Sequence, residues 1–66
     1  MNIELRFLQK AIEDKNFIVF SYENQKFSHI KPLALKEEQG VFTLETNKNS
    51  YNFYKIKKLK ILKERF

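Results

Sequence analysis

Cysteine does not occur in this chain, which excludes a disulfide framework and a thiolate zinc site and leaves an apolar core to hold the fold. Glycine and proline occur once each, as Gly40 and Pro32. With so little punctuation and no Ser/Pro/Gly-rich stretch, residues 1–66 show no linker or repeat and read as a single domain. His29 is the only histidine, and a lone imidazole without carboxylate or thiol ligands beside it in sequence makes no metal site. No apolar run approaches the roughly 20 residues a membrane helix needs. The opening segment Met1-Asn-Ile-Glu-Leu-Arg-Phe7 lacks the basic stretch and apolar run of a secretion signal, so the expectation is a cytoplasmic protein with no membrane partner. Gly-rich phosphate loops, metal-ligand spacings and nucleophile–base arrangements are missing as well. The neighbouring acids Glu13-Asp14 and Glu37-Glu38 do not face each other on a helix or strand, which argues against a catalytic acid pair. These gaps point away from an enzyme and from any cofactor.

What the chain does contain is a lopsided charge. Residues 48–66 hold seven Lys/Arg against Glu64 alone, while residues 1–47 hold six Lys/Arg and seven Asp/Glu. Essentially the whole excess of +5 therefore sits at one end, where it sets up a local positive field that favours anionic partners. Aromatic residues are the second resource. A chain this short buries only about 60% of its unfolded surface, and the seven Phe and three Tyr help because each ring buries a large area.

Hydrophobic periodicity divides the chain into one helix and five strands. Ile3, Phe7, Leu8, Ala11 and Ile12 recur at helical spacing, predicting an amphipathic helix over about 2–15. Strands are predicted at about 17–23 and 26–36, a hairpin with Pro32 at an edge or bulge because proline cannot donate to a ladder. Further strands follow at about 41–46, after a turn in which Gly40 supplies a positive φ, and at about 51–57 and 59–63. One helix leading into five consecutive antiparallel strands fits a mainly β fold, a small, strongly bent barrel with the helix over one open end.

The order of these motifs resembles the WYL domain family of prokaryotic regulators over about residues 7–63. The family's helix ends in an Ala-Ile pair, matched by Ala11-Ile12; its "Val-x-Phe-x-Tyr" strand is matched by Ile18-Val-Phe-Ser-Tyr22. Its "Val-x-Pro-Leu-x-Leu" corresponds to Ile30-Lys-Pro-Leu-Ala-Leu35, and its closing "Phe-Arg-Leu-Asp-Arg-Ile" to Tyr54-Lys-Ile-Lys-Lys-Leu59. Val41, Phe42 and Thr43 stand where the family has Trp-Tyr-Leu, and Ser28 stands where an Arg often precedes the proline segment. The resemblance implies a five-stranded Sm-like barrel that senses a ligand, often nucleic acid, inside a transcriptional regulator, either alone or beside a DNA-binding domain of a longer chain. Lys55 and Lys58 keep the charge of the family's arginines but lose the bidentate fork, which leaves point-charge contacts.

The candidate site is then a basic face of Lys55 and Lys58, supported by Lys57 and Lys31, holding single-stranded nucleic acid or a nucleotide. Tyr54, Tyr22 and Phe42 are candidates for stacking or for lining the pocket, and Ser28 with His29 for polar contacts. Each has a plainer alternative. Lysines on a strand edge also deter strand addition by other chains, and about two of the three rings Tyr51, Phe53 and Tyr54 are expected in the core. A different class of function, a protein-interaction or homodimerisation module, stays open because so small a domain gains stability by association.

Overall fold

The computed structural model describes residues 3–66. Helix α1 (Ile3–Asp14) buries Leu5, Leu8 and Ala11, a stripe at i, i+3 and i+6 that presses on the β-strands behind it. The apolar stripe read from the sequence is rotated relative to this face: Ile3 and Phe7 are 63% and 54% exposed. Both stripes share Leu8, Ala11 and Ile12, and packing against the sheets selects the one containing Leu5. The helix stops at Lys15, whose φ of 58° is the left-handed conformation that ends many helices, usually at glycine. The Lys15 carbonyl then accepts the Phe66 N–H at 2.8 Å.

Six strands follow: β1 (Asn16–Tyr22), β2 (Gln25–Ile30), β3 (Pro32–Glu38), β4 (Val41–Thr46), β5 (Ser50–Asn52) and β6 (Lys57–Arg65), with a 3-10 turn at Phe53–Lys55 between the last two. They form two three-stranded antiparallel sheets, ordered β2-β1-β6 and β3-β4-β5. The expected five-stranded, Sm-like closed barrel is therefore not the fold, and two local breaks explain why. The strand expected over 26–36 divides at Lys31-Pro32, since the proline has no N–H with which to continue a ladder; β2 stays with β1, and β3 crosses to β4. The strand expected over 51–57 ends at Asn52, whose Oδ1 accepts the Tyr54 N–H at 2.9 Å and caps the 3-10 turn instead. Neither junction carries a continuous ladder from one sheet to the other, so the sheets stack without closing.

The β1–β2 and β3–β4 hairpins use two-residue loops. Glu23 and Asn24 have φ of 49° and 65°, and Gln39 and Gly40 have φ of 51° and 82°, paired positive values that match the right-handed twist of the flanking strands. At Gly40 the requirement is conformational rather than spatial, because a Cβ there would meet nothing within 4 Å; the Glu37 carboxylate holds the loop by accepting the Gly40 N–H at 2.6 Å. The crossing at Lys31 is pinned from both sides: its N–H donates to Asn47 Oδ1 at 3.2 Å and its carbonyl accepts the Asn47 N–H at 3.3 Å.

The core lies between the sheets and the helix. Ile18 and Phe20 of β1, Ile30, Leu44, Tyr51 and Phe53 are buried with the helical Leu5, Leu8 and Ala11. Tyr51 is its aromatic hub, 5.1 Å from Phe20, 4.9 Å from Tyr22 and 5.7 Å from Phe27 between ring centroids. All three of those partners belong to the other sheet, so this one ring bonds the two layers edge to face.

Candidate functional site

Strand pairing decides which lysines can meet. Ser21 of β1 lies between Lys26 of β2 and Lys57 of β6, and residues directly opposite across a sheet share a face. Phe20 next to it is fully buried, so the Ser21 row points away from the core. Two ammonium groups thus flank one small hydroxyl. Ordinary alternation would send Lys58 to the opposite face from Lys57. Between the pairs Val19↔Lys60 and Ser21↔Lys57, however, β6 contains one residue more than β1, and Lys58 sits in this bulge with φ of 54°. A bulge re-aims the side chain it carries, and Lys57 and Lys58 line the same groove.

That groove is an open surface depression of about 690 Å³. Its lining holds the lysines Lys26, Lys55, Lys57 and Lys58, the polar residues Glu23, Asn24 and Gln25 of the first hairpin, and Ser21, Tyr22 and Tyr54. A second depression continues from Ser21, Lys26 and Lys58 to Lys60. Among the described residues the ion pairs are Lys10–Asp14, His29–Glu64 and Lys36–Glu45, so none of these five lysines is neutralised by a salt bridge. Like charges crowded on one face repel, and an anion seated among them relieves that repulsion. Glu23 is the single carboxylate in the lining.

The two groove tyrosines differ in what holds them. The Tyr22 hydroxyl accepts the Asn52 N–H at 3.2 Å and its ring packs on Tyr51, so it is a strut between the sheets that shows one side to the groove. Tyr54 is 60% exposed. Its N–H is taken by the Asn52 cap, its hydroxyl donates to the Gly40 carbonyl at 3.2 Å, and its ring meets Phe53 at 5.7 Å and 75°.

Four residues proposed from the sequence lie elsewhere. Phe42 is half-buried on β4 and packs against the core. Lys31 is carried by the sheet crossing, with its ammonium 5.8 Å above the Phe66 ring. Ser28 and His29 occupy the bulge of β2, where His29 has φ of 53°. There Ser28 Oγ lies 2.9 Å from His29 Nδ1, and His29 Nε2 lies 3.2 Å from Glu64 Oε1. The carboxylate accepts only when Nε2 is protonated, which leaves Nδ1 of the neutral ring to accept the serine hydroxyl. This chain of bonds ties the β2 bulge to the end of β6 and does not line the groove. Conversely, Lys26 and the polar hairpin Glu23-Asn24-Gln25 were not expected in the site. The signal was in the sequence: a two-residue loop at Glu23-Asn24 fixes Gln25 opposite Tyr22 and Lys26 opposite Ser21.

No cluster of three or more His, Cys, Asp or Glu side chains suited to a metal ion occurs among the described residues, and no helix there is long and apolar enough to cross a membrane. No family model, curated protein or solved structure matches the chain.

Proposed function

We propose that the chain is a non-enzymatic, ligand-binding regulatory module whose lysine groove holds an anionic ligand, a single nucleic-acid strand or a nucleotide. One observation carries this reading: lysines from β2, the 3-10 turn and β6 converge on one groove and none is paired with an acid among the described residues. The motif order resembling WYL-domain regulators supports the regulatory part, a cytoplasmic setting and a neighbouring DNA-binding domain. Phosphate neutralisation by lysine releases counterions, so affinity falls with salt along a log–log slope of about −0.7 per phosphate of a single strand. Lys55, Lys57 and Lys58 follow one another along the chain in the groove lining, and at one phosphate per ammonium they neutralise about three phosphates. The expected slope in a fluorescence titration with a short oligonucleotide is thus about −2. Exchanging Lys57→Gln together with Lys58→Gln flattens it to about −1. Binding that ignores ionic strength, or survives the double exchange unchanged, refutes the reading.

A second reading rests on the outer face of α1, where Ile3 and Phe7 stand one turn apart and more than half exposed. Apolar side chains so placed suit a homodimer or another protein partner. Its signature is a solution mass that rises with protein concentration and drops back in Phe7→Ser, with no response to oligonucleotide.

A further inference from the structure

We infer that Tyr54 is a stacking platform for one unpaired base, which makes the groove a reader of single strands and not of duplexes. The inference rests on the anion reading above and adds the residue and the contact by which a single strand would be selected. A large ring in so small a chain is ordinarily drawn into the core, as Tyr51 is at 5% exposure. Tyr54 stays out at 60%, yet it is not loose: the Asn52 cap fixes its backbone, the Gly40 carbonyl fixes its hydroxyl and Phe53 fixes its ring. A T-shaped contact occupies at most one of its two faces. A ring ordered before the ligand arrives loses little side-chain freedom on binding, so the stacking energy is available to the complex.

Its neighbours supply the rest of a nucleotide's requirements. Lys55, Lys57 and Lys58 share the groove with the ring, so a base laid on Tyr54 carries its phosphates toward ammonium groups, and the strand continues past Lys58 and Lys26 to Lys60. The volume of about 690 Å³ lies within the range of small-molecule sites, about 300–1,000 Å³. Electrostatics alone favours the opposite ligand. A duplex has the higher phosphate density, but its bases are stacked on each other and offer no π-face to a side chain. A preference for the single strand therefore reports the ring.

The test uses a labelled oligo(dT), the abasic phosphodiester of the same length and the corresponding duplex, titrated at one salt concentration. The wild-type chain should bind oligo(dT) roughly 5- to 150-fold tighter than the abasic strand, the range for one stacked base, and tighter than the duplex. Tyr54→Ala should bring oligo(dT) down to the abasic level while abasic binding stays put. Tyr54→Phe, which keeps the ring and loses only the bond to Gly40, should hold most of the advantage. An abasic strand or duplex that the wild-type chain binds as tightly as oligo(dT) overturns the stacking role and leaves the lysine groove standing. No binding of any of the three overturns the groove itself.

Discussion

At the scale of single residues, backbone strain and charge are placed together. Lysines 15 and 58 both adopt left-handed backbone, which costs a residue with a Cβ about 1–2 kcal/mol relative to glycine. Only the second lines the groove. Lys15→Gly and Lys58→Gly should each raise stability by about 1 kcal/mol in urea unfolding, but only Lys58→Gly should weaken oligonucleotide binding. Equal effects on binding would show that the bulge does not aim its side chain. Glu23→Gln offers the reverse case, because it removes the one carboxylate facing the lysines and should tighten anion binding several-fold at low salt. These residues also mark where the sequence was legible. The positive field was readable as composition, and Lys55, Lys57, Lys58, Tyr54 and Tyr22 do meet in one groove. Lys31, Ser28, His29 and Phe42 do not, because the sheet crossing sets Lys31 over Phe66, the β2 bulge ties Ser28 and His29 to Glu64, and Phe42 packs against the core. Lys26 was missed because pairing register, not composition, brings it in.

Among the elements, short breaks decide the architecture. The helical period and the strand Val41–Thr46 follow from patterns that a linear reading detects. The sequence places Pro32 at an edge or bulge, and it does open the edge strand β3 beside a register shift; what the pattern does not show is that this strand is a new one in another sheet. Asn52-Phe-Tyr-Lys55 carries strand-forming side chains, yet the Asn52 amide competes for a backbone N–H and diverts the chain into a 3-10 turn. Asn52→Ala should therefore destabilise the chain by about 1 kcal/mol, the usual cost of losing a side-chain cap. Because the cap also holds Tyr54, oligo(dT) affinity should fall further than abasic affinity. The test is a comparison of the two titrations, and parallel losses would separate the cap from the stacking surface.

For the whole molecule, stability rests on the rings that join the two sheets. Phe20 is fully buried against Tyr51 and Phe27, and removing such a side chain costs about 3–5 kcal/mol. Small domains have only about 5 kcal/mol to lose, so Phe20→Ala should leave a large unfolded fraction by circular dichroism at room temperature. A folded, cooperative Phe20→Ala chain would mean that the helix and not the inter-sheet aromatics supplies most of the core.

The 3-10 turn has one more implication at this scale. Covalently, the two layers are joined only by the crossing at Lys31 and by this turn, and the turn carries Tyr54 and Lys55 into the groove. A guest held there leans on one layer through Lys26, Lys57 and Lys58 and on the seam through Tyr54 and Lys55. It acts as a splint across a hinge, and the amide protons of Tyr54 and Ile56 should exchange with solvent more slowly when the groove is filled.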